Sequence, residues 1–109
     1  MLLRYTISRG VYLNQAICDA IKDRSILKFI YDGHFRVVEP YAYGLSLTGI
    51  EAIHCYQTEG TSDSGQVRAW KMMAVSEIKS LIVTEEHFSG ERDGYTRGDK
   101  HMRTIFCEL

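Results

Sequence analysis

The feature that most narrows what this chain can fold into is a series of short β-forming runs separated by tight turns. The clearest piece is Asp32-Gly33, set between Ile26–Tyr31 and the alternating run His34-Phe35-Arg36-Val37-Val38-Glu39. Asp-Gly tolerates the positive φ values that a two-residue hairpin turn demands, so these two runs read as a hairpin. Pro40 lacks a ladder donor and is expected to end or bend the second strand. Beyond it, Tyr41, Tyr43, Leu45 and Leu47 repeat at period two, the mark of a half-buried strand. Thr48-Gly49 turns the chain into Ala52–Gln57. A polar stretch, Glu59–Gln66, forms a loop. Strands then follow at Val67–Val75 and Ile78–Thr84, joined by a turn at Ser76-Glu77.

One helix precedes the strands. Asn14 is a good N-cap, Ile17, Ala20 and Ile21 repeat at helical spacing, and Leu13 sits where a hydrophobic staple would. The helix runs to Asp23 and is short, so packing must hold it. Residues Tyr5 to Tyr12 read either as a short strand broken at Gly10 or as a tail that docks on a partner. The segment Ser89–Lys100, rich in Gly, Asp and Arg, reads as loop. Met102–Leu109 alternates again and suits a final strand. The connections are too short for the crossovers of a parallel sheet. The expected architecture is therefore mainly β with a short N-terminal helix, curled into a small barrel or sheet.

The 109 residues suit one domain, and 45% hydrophobic residues suffice for a core. A net charge of −1 argues against coating nucleic acid by bulk charge. No apolar run approaches the roughly 20 residues needed to cross a bilayer. The start, Met1-Leu2-Leu3-Arg4-Tyr5, is too soon interrupted for a signal peptide. Three cysteines, Cys18, Cys55 and Cys107, are odd in number and lack paired metal-site spacing. They are expected as reduced thiols in a cytoplasmic protein.

The order of elements and particular residues resemble the WYL domain. The matching residues are Ala16-Ile17 in the helix, Lys28-Phe29-Ile30-Tyr31 in the first strand, Asp32-Gly33, and Arg36-Val37-Val38-Glu39-Pro40-Tyr41. The slot Gly49–Tyr56 puts Glu51, Ala52 and Ile53 at the positions of the tripeptide that names the family. Lys71-Met72-Met73-Ala74-Val75-Ser76-Glu77-Ile78 follows the next block, with Glu77 where a basic residue is usual. The resemblance spans Leu13 to Phe88. It divides the chain into a 1–12 extension, a WYL-like barrel at 13–88 and an 89–109 tail with a final strand. It implies an SH3-like, Sm-like β-barrel. It also implies the setting of prokaryotic transcriptional regulators and phage-defence accessory proteins, in which such domains bind nucleic acid or a nucleotide-like ligand and switch a partner. The helix-turn-helix usually joined to the domain is not expected within these residues, because one short helix cannot build it.

A guanidinium beside aromatic rings can hold a phosphate and stack a base. The candidate ligand-binding residues are thus Arg36, Tyr41, Tyr43, Trp70 and Lys71, with Arg36 and Lys71 at positions matching the family's basic site. Arg36 facing water with Glu39 as its partner is the plainer reading. The ligand is expected to be a nucleotide or single-stranded nucleic acid, and the partner a protein or a second copy of the chain, with no membrane. No cofactor is expected. The spacing of His34, His54, His87 and His101 gives no support for a metal. His54 and Cys55 are strand neighbours that point to opposite faces, so they form no dyad. Asp99 and the glutamates Glu85, Glu86 and Glu91 read as solvated surface charge. No catalytic constellation emerges, and the chain is not expected to be an enzyme.

Overall fold

The computed structural model describes residues 14–109. The expectations for Tyr5–Tyr12 and for a Leu13 staple lie outside the described residues. The chain runs α1 (Gln15–Asp23), β1 (Ser25–Tyr31), β2 (His34–Ser46), β3 (Glu51–Gly60), β4 (Ala69–Ala74), a 3-10 turn (Val75–Glu77), β5 (Lys79–His87) and β6 (Met102–Glu108). Asn14 caps α1, its side-chain oxygen accepting from the Ile17 amide at 3.3 Å. Arg24 ends the helix in the left-handed conformation, with its amide turned back to Ala20 and Ile21. Asp32 and Gly33 both take positive φ, 54° and 74°, as a two-residue hairpin turn requires.

All strand pairs are antiparallel, in the order β4-β3-β2-β1-β5, with β6 also on β2. Where two strands were expected on either side of Pro40, a single 13-residue strand runs through it. The reason is positional. One edge of β2 is shared: β1 pairs it from His34 to Val38, and β6 from Ala42 to Ser46. Pro40 sits in the gap between them, where no ladder donor is needed. On the other edge it lies at a register shift opposite Cys55. The expected closure into a barrel is not made by the described residues: the sheet is open, with β4 and β5 as its ends.

Helix α1 covers one face. Ile17 and Ile21 pack there on Leu27, Phe29, Val38, Tyr43, Ile53, Cys55 and Met73. Cys18 on α1 and Cys107 on β6 are joined by a disulfide, with Cα atoms 5.6 Å apart across 89 residues of sequence. This corrects the expectation of three reduced thiols, and the cytoplasmic assignment that rested on it loses that basis. Only Cys55 is free, and it is buried. Among the described residues no helix is long and apolar enough to cross a membrane.

Candidate functional site

The opposite face of the sheet carries the chemistry. Along β3, His54 and Tyr56 point away from Ile53 and Cys55. Cross-strand partners share a face, so Glu39 and Trp70 lie beside Tyr56, and Met72 beside His54. Tyr41 joins this group. Its ring meets Trp70 at 4.9 Å, Tyr95 at 4.9 Å and Phe88 at 5.1 Å between centroids.

The segment between β5 and β6 lies over this face as a strap. It is irregular, as its composition suggested, but it is firmly attached. Trp70 Nε1–H donates to the Asp93 carbonyl at 3.0 Å, and Tyr95 Oη–H donates to the Leu109 carbonyl at 2.7 Å. Arg92 forks onto Glu39, Nε to Oε1 at 2.8 Å and Nη2 to Oε2 at 3.0 Å, and its guanidinium lies 3.9 Å from the Tyr56 ring centre. Gly94 is needed where the strap crosses the indole. Its φ is +97°, and a Cβ there would sit 2.6 Å from Trp70 Nε1.

The strap delivers Asp99 and His101 to His54. Asp99 Oδ2 bonds His54 Nδ1, while Asp99 Oδ1 takes the His101 amide at 2.9 Å and His101 Nδ1 at 3.0 Å. Asp99 and His54 are 6% and 8% exposed, whereas the His101 ring is open to solvent. Burial by itself would raise the Asp99 pKa. The His101 amide and the two imidazoles outweigh it and hold the carboxyl below its ordinary value. The His54 and His101 ring centres are 5.1 Å apart, and Trp70 lies 4.9 Å from His54. A cavity of about 320 Å³ opens here, lined by His54, Gly94, Thr96, Asp99, Lys100 and His101. Among the described residues, no buried side-chain nitrogen or oxygen lacks a hydrogen-bond partner.

No protein-family model, no curated protein and no solved structure matches this chain.

The five residues expected to form one binding face are divided by the sheet. Arg36, Tyr43 and Lys71 belong to the side of Cys55, and Tyr41 and Trp70 to the side of His54. Arg36 does not face water with Glu39. It is 4% exposed, with Nε and Nη2 on the Tyr31 carbonyl and Nη1 on Gln57 Oε1. Glu39 pairs with Arg92 instead. Tyr41 and Tyr43 are buried, their hydroxyls donating to Glu39 and Glu51. Lys71 reaches the Gln66 carbonyl at 2.6 Å. None of the five is among the residues that line the His54 cavity; Trp70 packs on His54, with 4.9 Å between ring centres. Asp99, read as solvated charge, is instead buried at its centre. The sequence signal for it was slight: Asp99 stands two residues before His101, next to a glycine, in the kind of Asx turn that presents a side chain.

Proposed function

We propose that this chain is a small binding module that senses a ligand and acts on a partner, in keeping with the WYL resemblance of its sequence. Its ligand sits in the cavity between β3 and the strap. The observation that carries this reading is the convergence of His54, Asp99, His101 and Lys100, from distant stretches of chain, around a solvent-open hollow beside a tryptophan. Lys100 and His101 supply donors for an anionic group, and the exposed ring of His101 supplies a face for a base. A nucleotide or a short single-stranded nucleic acid has both parts. Binding rather than catalysis is the role proposed. The SH3-like, Sm-like barrel belongs to this proposal as well. It is supported by a long β2 that serves β1 and β6 in turn along one edge.

The test uses Trp70, the only tryptophan, as the reporter. Titration with nucleotides and short single-stranded oligonucleotides is expected to change its fluorescence and raise the melting temperature. Lys100→Ala is expected to weaken the effect. No response to any of them would sink the nucleotide reading.

A second reading is favoured by the open ends of the sheet. Edge strands β4 and β5 expose Met72 and Ile82, and unpaired edges template association. A protein partner or a second copy of the chain would occupy them. Light scattering that returns a monomer at every concentration would remove the homodimer.

A further inference from the structure

We propose that His54, Asp99 and His101 form a site for a divalent transition cation of the zinc class. This deepens the reading above and rests on the same cavity being where the chain takes its ligand. Each of the three residues offers one ligand atom, and these atoms lie within 4.8 Å of one another. Two imidazole nitrogens and one carboxylate oxygen are a donor set that zinc and its neighbours favour over calcium or magnesium. Zinc holds such ligands at about 2.0–2.2 Å, so the three groups, now hydrogen-bonded to one another, need only a small rearrangement for an ion to take the place of the bridging protons.

The surroundings suit that rearrangement. His54 is fixed in β3, between Ile53 and Cys55 of the core. Asp99 is fixed by its turn, its carbonyl accepting from the Met102 amide at 3.0 Å. His101 is the adjustable member, since its ring is 57% exposed. The hydrogen bonds now joining the three groups keep their nitrogen and oxygen atoms aimed at one another. Three protein ligands would leave a fourth position open, and Lys100 lines the same cavity as the three. An open fourth position is what distinguishes a metal that takes a further ligand from one that is purely structural. The fourth ligand is then water or an oxygen of an anionic molecule held by Lys100. The trio also explains why an acid stands buried under the strap: the site ties the strap to β3.

Tag-free protein titrated with zinc chloride alone provides the test, read by melting temperature and Trp70 fluorescence. Cobalt(II) substitutes as a visible-absorption probe of geometry. The expected result is a rise in melting temperature and a tetrahedral-type cobalt spectrum. His101→Ala, which changes an exposed ring and leaves the fold intact, should weaken zinc binding by at least about tenfold. His87→Ala, an exposed histidine on β5, should leave it unchanged. Absence of zinc binding by the native chain would overturn the inference. So would binding that survives His101→Ala or is lost with His87→Ala. The two readings fail separately: zinc binding without any nucleotide response removes only the nucleotide, and nucleotide binding without zinc binding removes only the metal.

Discussion

At the residue scale, burial decides what each side chain can do. Cys55 lies in the core, and burial pushes its thiol up to about 12, with Arg36 and Lys71 opposing the shift. A thiol that stays protonated and covered is inert. Oxidised native protein is therefore expected to show no thiol reactive to a disulfide reagent, and one per chain after unfolding in denaturant. Two or more reactive thiols in unreduced protein would contradict the Cys18–Cys107 bond. Tyr41 behaves similarly. Burial first, and then Glu39, raise its pKa to about 12. Because the folded pKa lies above the unfolded one, the stability it contributes is intact below about pH 10. It is lost as pH rises toward 12, by about 2–3 kcal/mol at most. Urea midpoints across that range should fall more steeply for the native chain than for Tyr41→Phe. His54 and Asp99 show the limit of reading residues singly. As isolated letters they are a strand histidine and a loop acid, and only their meeting gives them chemistry.

At the element scale, β2 organises the molecule. Its expected division at Pro40 failed because a proline is tolerated in a long strand wherever a neighbouring strand leaves a gap. No local pattern announces which two strands will share one edge. Gly44 lies in the pairing of β2 with β6, and a Cβ there would overlap the Thr104 carbonyl. Gly44→Ala is expected to cost about 2–4 kcal/mol by disturbing that pairing, and chemical denaturation measures it directly. The disulfide acts on the neighbouring strand, β6. It spans 89 residues and fastens α1 to β6. On the loop-entropy account such a closure stabilises by about 4–5 kcal/mol, and native disulfides commonly contribute about 2–5. Reduction under otherwise native conditions should lower the melting temperature markedly, whereas Cys55→Ser, at a buried position outside the bridge, should leave the response to reductant intact.

At the scale of the whole molecule, charge sets how a polyanion would be met. The net charge of −1 supplies no general attraction, so on the proposed function a nucleic acid would be held by the few donors at the cavity. If Lys100 and His101 meet one or two phosphates, the logarithm of affinity should fall with the logarithm of salt with a slope between about −0.7 and −1.4. A steeper slope would place the contact on some other basic surface. Much of the architecture was legible from one dimension. Local rules decided the capped helix, the Asp32-Gly33 hairpin, the mainly β character and the last strand, because capping, turn chemistry and side-chain alternation act over a few residues. The tertiary structure alone decided the open sheet, the bond between Cys18 and Cys107, the burial of Arg36, and the meeting of His54 with Asp99 and His101. Those depend on which distant strands become neighbours and which face the strap covers, and neither is encoded by any spacing along the chain.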